Sequence, residues 1–104
     1  MITEHTLLCD PSDPNGITWQ YDGQQHYTAQ PRADQLLNII VQLTAGNIDR
    51  LVLINQAESF TRIRVLAAIF NTLAFSRNIP LFQNNDTTPV AYILPHYSHS
   101  PLQQ

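Results

Sequence analysis

Asn55–Phe82, NQAESFTRIRVLAAIFNTLAFSRNIPLF, holds a strand end, a turn, the longest helical stretch of the chain and the start of the next strand. Ser59 stands just before the helical run, where its hydroxyl can accept from a free backbone N–H one turn on, so it reads as the N-cap. Pro80, following Arg77-Asn78-Ile79, ends the helix and starts a strand, because the residue before a proline is pushed out of α backbone. The spacing predicts one helix over Phe60–Arg77. Around it, Ile63, Leu66, Ala67, Phe70, Leu73 and Ala74 share one side, the stripe that a helix lays on a sheet. Val65, Ala68, Ile69 and Phe75, with Thr72 and Ser76 beside them, point elsewhere. A helix apolar on two sides is either wholly buried or keeps one face for a partner, and a chain of 104 residues has little with which to cover both.

The same stretch resembles the hallmark of the TsaB family, also called YeaZ, the non-catalytic member of the bacterial machinery that makes threonylcarbamoyladenosine in tRNA. There, a strand is followed by a Gly-Pro-Gly-Ser-Phe-Thr-Gly-Leu-Arg type run and a helix leading to Gly-Ile-Pro-Leu. Ser59, Phe60, Thr61, Arg64, Ile79, Pro80 and Leu81 match that pattern. The three glycines are replaced, by Asn55 or its neighbours, by Ala57 or Glu58, and by Arg62. The resemblance implies a ribonuclease-H-like lobe of the actin and Hsp70 ATPase type.

Outward from this helix, Arg50–Asn55 is a continuous apolar run of strand length and is expected to be covered on both faces. Upstream of it, Leu36–Ala45 is a helix stopped by Gly46, with Leu36, Ile39, Ile40 and Leu43 as a stripe that Leu37 and Val41 widen. Thr6–Cys9, Ile17–Tyr21 and Gln25–Ala29 read as three strands of an antiparallel meander, with Ile17, Trp19 and Tyr21 on one face. Asn15-Gly16 suits a tight turn, and Asp22-Gly23 closes the next hairpin. Pro89–Leu94 can form one more strand at an edge, since prolines flank it. The expected fold is therefore α/β: a mixed sheet with a β1-β2-β3 meander followed by α-β-α-β. Residues 1–95 form one lobe and 96–104 a flexible tail. Family members have a His-Ser-Glu-like segment before the first helix, which is lacking here. Val90–Leu94 is similar to the family's C-terminal Tyr-Leu-Arg tail without its arginine, as if a first lobe were joined directly to a last segment.

Composition narrows the chemistry. There is no lysine, charged residues make up 12% of the chain and the net charge is −3, so solubility rests on amides and hydroxyls and self-association is favoured. A broad nucleic-acid surface needs concentrated Arg and Lys, so no direct nucleic-acid binding is expected. Cys9 is alone, which rules out an internal disulfide and leaves it as a small buried hydrophobe. No apolar run is long enough to cross a bilayer, and the expected address is the cytoplasm. His96 and His99 lack a third ligand nearby and read as part of a solvated tail, so no metal is expected.

Leu8-Cys9-Asp10-Pro11-Ser12 resembles the Ile-Asp-Thr-Ser-like end of the first strand in ATPase-lobe relatives, where the Asp10 position supports magnesium and phosphates. A phosphate cradle needs successive backbone N–H groups, and Pro11 and Pro14 each remove one. Asp10 is accordingly the sole cofactor-binding candidate and reads first as a turn residue. Glu58, at the helix start, favours the helix dipole but repels phosphate. Without the glycines, a nucleotide site there looks dismantled, and neither a cofactor nor catalysis is expected.

Three functions fit. The first is a scaffold whose two helices pair with those of the catalytic homologue TsaD or of a second copy, as the resemblance implies, through Ile39, Leu43, Val65, Ala68, Ile69, Thr72 and Phe75. The second is a degenerate nucleotide-binding lobe of an ATPase-type enzyme using Asp10 with Ser59 or Thr61. The third is a regulator or decoy of the TsaD complex.

Overall fold

A computed structural model describes residues 5–57 and 59–96. Five strands form a single sheet in the order β3-β2-β1-β4-β5. They are β1 (Thr6–Asp10), β2 (Gly16–Tyr21), β3 (Gln24–Ala29), β4 (Arg50–Leu53) and β5 (Leu81–Gln83). The first three are antiparallel neighbours, whereas β1–β4 and β4–β5 are parallel. Parallel neighbours need a crossover, and the two helices supply it: α1 (Leu36–Thr44) leads into β4, and α2 (Phe60–Arg77) joins β4 to β5. This is the expected meander followed by α-β-α-β, a ribonuclease-H-like arrangement.

Local chemistry sets the element ends. Asp22 (φ 52°) and Gly23 (φ 81°) both take left-handed backbone, as the tight turn between β2 and β3 demands. A 3-10 turn over Ala33–Gln35 precedes α1, and the Gln35 side chain accepts the Arg32 N–H at 3.0 Å. Ala45 closes α1 in left-handed backbone, its N–H donating to Val41 O. Ser59 caps α2 as expected: its Oγ accepts the Arg62 N–H at 3.2 Å. Asn78 (φ 55°) ends α2, and the Ile79 N–H returns to Ala74 O at 3.0 Å.

Register puts Leu7, Cys9, Ile17, Trp19, Leu51, Leu53 and Leu81 on one face, all of them buried. Ile63, Leu66, Ala67, Phe70 and Ala74 of α2 and Leu36 and Ile40 of α1 join them in the same core. Leu8, Thr18 and Val52 face the other way and are only half-buried. The expectation that β4 is covered on both faces is therefore corrected. Its burial alternates along Arg50–Leu53, because both sequence-adjacent helices serve the same core and leave the opposite face to side chains such as Arg50, whose guanidinium lies 4.7 Å over the Phe82 ring.

The turn expected at Asn15-Gly16 forms, with the Gly16 N–H donating to Asp13 O at 3.3 Å, and Gly16, with no left-handed φ, is also the buried first residue of β2. It is glycine for space: a Cβ there would run into the Tyr27 ring and the Thr28 carbonyl. Gly16→Ala is expected to cost about 1–3 kcal/mol as an overpacking change, measured as a lowered denaturant midpoint. The strand expected at Pro89–Leu94 reduces to one antiparallel bridge, Val90 to Leu81. Beyond it, the backbone groups of Ile93, Leu94 and His96 bond to asparagine side chains rather than to a strand. Of the expected tail, only His96 is described; residues 97–104, His99 included, lie outside the described residues, as does Glu58.

Candidate partner interface

The second apolar face of α2 is only partly drawn into the core: Val65 and Ile69 are half-buried against it, whereas Ala68 and Phe75 are exposed. Two adjoining clefts run along this face. One, of about 440 Å³, is lined by Thr61, Arg64, Val65, Ala68 and Ile69. The other, of about 270 Å³, is lined by Ala68, Ile69, Thr72 and Leu73 together with Leu37 of α1. Sharing Ala68 and Ile69, they make a trough along α2 that α1 borders at one end. Ala68 has the smallest side chain of the lining, which lets another backbone come close. Arg64 stands at the rim with its guanidinium 5.1 Å over the Phe60 ring. Phe75 lies further along α2 and is 91% exposed, the most exposed of the large apolar side chains among the described residues.

Of the residues expected at an interface, Val65, Ala68, Ile69 and Thr72 line the trough and Phe75 stands free beyond it. Ile39 and Leu43 are half-buried against the protein's own core, as Val65 and Ile69 also are, but they line neither of these clefts. The apolar side chains that α1 turns outward are Leu37 and Val41, each 51% exposed. A helical stripe spans two sides of the cylinder, and only the position of the sheet determines which half is spent on the core. Leu36, Ile40 and Thr44, at i, i+4 and i+8, face inward. Buried Thr44 satisfies its hydroxyl by donating to Ile40 O at 2.8 Å.

At the C-terminal end of β1, Asp10 Oδ1 accepts from Ser12 N at 3.1 Å and from Ser12 Oγ at 2.7 Å. That is the geometry of a turn residue. Nearby, Arg62 Nη1 donates to the Asp13 carbonyl at 3.4 Å, stitching the loop to α2. Among the described residues no cluster of three or more His, Cys, Asp or Glu side chains could hold a metal ion. Cys9 is fully buried, and burial first, then the Asp10 carboxylate, push its thiol well above the ordinary range, with Arg62 opposing. The native state thus holds the thiol proton longer than the unfolded chain does. That stabilisation is complete below the unfolded thiol's pKa and is lost as pH rises through the native one. Cys9 is expected to resist a disulfide reagent at mildly alkaline pH until denaturant is added; rapid labelling of the native protein would contradict its burial.

The sheet order, the β4–α2–β5 crossover and the capped entry to α2 define a ribonuclease-H-like lobe. Among solved structures that fold is found in YeaZ from Pseudomonas aeruginosa, which superposes with a TM-score of 0.63 at 22% sequence identity over 81% of this chain and 45% of that one. A second structure, described as an uncharacterized protein with similarity to peptidase YeaZ from Pseudomonas aeruginosa, gives 0.62 at 20% identity over 81% and 44%. The chain thus shares the fold of a YeaZ lobe and spans less than half the length of these relatives. No protein-family model and no curated protein sequence matches it. Among the described residues no helix is long and apolar enough to cross a membrane.

Proposed function

We infer that this protein is a non-catalytic scaffold of the TsaB type. It pairs through α1 and α2 with a TsaD-like partner or with a second copy of itself, in support of threonylcarbamoyladenosine modification of tRNA in the cytoplasm. The observation that carries this reading is the trough on α2. An apolar cleft lined by small Ala68, with Leu37 of α1 at one end and exposed Phe75 further along α2, is the kind of surface that two helices of another molecule fill in a four-helix packing. The likeness in fold to YeaZ supplies the biological setting. With no lysine and a net charge of −3, contact with tRNA belongs to the partner.

The test has two arms. Purified protein mixed with the TsaD-like protein of the same cell should co-elute with it, and removal of the protein should lower threonylcarbamoyladenosine in tRNA; co-elution without that loss would favour the decoy role. In the second arm, calorimetry with ATP and magnesium should show no binding, as suits an Asp10 carboxylate engaged with Ser12. Micromolar affinity that disappears in Asp10→Ala would replace the scaffold by a nucleotide-binding lobe.

A further inference from the structure

Beyond β5 the chain turns through a polar loop and runs as a strap, Pro89–His96, across the cleft between α2 and the C-terminal ends of β4 and β5. Side-chain amides read its main chain. Asn71 of α2 takes both backbone groups of Ile93: Oδ1 accepts from Ile93 N at 2.7 Å, and Nδ2 donates to Ile93 O at 2.9 Å. Asn55, two residues past β4, repeats this one step further on. Its Nδ2 donates to Leu94 O at 2.7 Å, and its Oδ1 accepts from His96 N at 2.8 Å. At the other end the Val90 N–H donates to Leu81 O at 2.7 Å, adding one rung to the outer edge of β5. Between these grips, Ile93 is 1% exposed while Tyr92 and Leu94 on either side are 61% and 70% exposed.

Main-chain hydrogen bonds that grip any sequence, plus one pocket that selects alternate side chains, are the chemistry of extended-peptide recognition. The receiving groups are also held in place by the rest of the fold. Asn55 N donates to Asn84 Oδ1 at 2.9 Å and Asn55 Nδ2 also reaches Gln83 Oε1 at 3.1 Å, while Asn71 is carried on a rigid helix. The strap is held at a few points, with Ile93 in the protein's own core and Val90 packed against it. Five main-chain hydrogen bonds and one fully buried side chain offset the ordering of eight residues.

We propose that this cleft is a linear-peptide site, filled here by the chain's own strap. Its occupant in trans is an extended segment of a partner protein, with an aliphatic residue for the Ile93 pocket and a free N–H and C=O on that residue. The strap sets the threshold: a partner segment binds when the strap lifts. The pattern of the site is legible because its present occupant is seated in it. This second surface does not depend on the pairing proposed for the helices.

The test uses full-length protein and a fluorescent peptide of the sequence Thr88–His96, followed by anisotropy. The intact protein should bind it weakly, because the strap competes at high local concentration. Ile93→Ser, which empties the pocket of its own occupant, should tighten binding at least tenfold. Adding Asn71→Ala to that variant should abolish the gain, and a peptide with serine at the Ile93 position should not bind to any of them. Equal binding by intact protein and Ile93→Ser, or a gain that survives Asn71→Ala, would overturn the proposal. His96→Pro covers the case in which Ile93→Ser does not fold, since it deletes one strap N–H and leaves the pocket filled. It should give a smaller gain in the same direction, and no gain would again overturn the proposal. Should Ile93→Ser and Asn71→Ala chains instead form a mixed dimer by exchanging straps, the occupant is a second copy and the partner-protein assignment fails.

Discussion

Ile69→Glu is expected to halve the molar mass measured by light scattering on a sizing column if the protein pairs with itself, or to abolish co-elution if it pairs with a TsaD-like protein. Ile69 borders both clefts of the α2 trough, so a carboxylate there meets the partner wherever the two helices cross. Burying an unpaired charge against apolar groups costs several kcal/mol, a loss of affinity of roughly a hundredfold or more. Folding should suffer far less, because Ile69 is only partly buried within its own molecule. Ala68→Glu makes the control sharper: Ala68 is exposed and next to it in the trough, so its effect on the melt should be smaller still. An unchanged mass and unchanged co-elution in both variants would show that this surface is not where the protein meets its partner.

One residue along, the same helix answers a different question. Phe70 is 0% exposed and sits in the core between α2 and the sheet. Phe70→Ala removes a large aromatic side chain that its neighbours cannot close over, at about 3–5 kcal/mol. For a domain of this size, that is a fall in melting temperature on the order of 15–30 °C, followed by far-UV circular dichroism. It is also a large share of the roughly 5–15 kcal/mol that holds a typical domain together. A shift of only a few degrees would mean that α2 does not pack on this sheet through that face. Neighbouring substitutions thus separate the two faces, since Ile69→Glu should change association with little change in the melt, and Phe70→Ala the melt first.

The elements were legible where their chemistry is local. α2 runs over Phe60–Arg77 as expected, because Ser59 marks its start, Asn78 accepts left-handed backbone at its end, and the stripe from Ile63 to Ala74 repeats at helical spacing. The Asp22-Gly23 hairpin was legible for the same reason. The turn ending at Asn15-Gly16 was legible too, but not that its glycine is also required by the Tyr27 ring from the adjacent strand. Pro89–Leu94 has strand-like composition, yet its backbone is taken by amides remote in sequence: Asn71 lies 22 residues from Ile93, and Asn55 lies 39 from Leu94 and 41 from His96. Nothing local distinguishes these two asparagines from solvated ones. The strap they hold is the part of the molecule that sequence reasoning missed.

By itself the sequence determined the order and type of the elements from β1 to β5, the core stripe of α2, the buried state of Cys9 and the presence of a second apolar face. Those follow from residue spacing and capping, which act within a few positions along the chain. Tertiary structure alone decided which half of the α1 stripe is spent inward, which sheet face the helices cover and where the C-terminal segment is anchored. Such choices depend on which elements the sheet brings side by side, and an amide or an isoleucine acquires its role only from the groups placed opposite it.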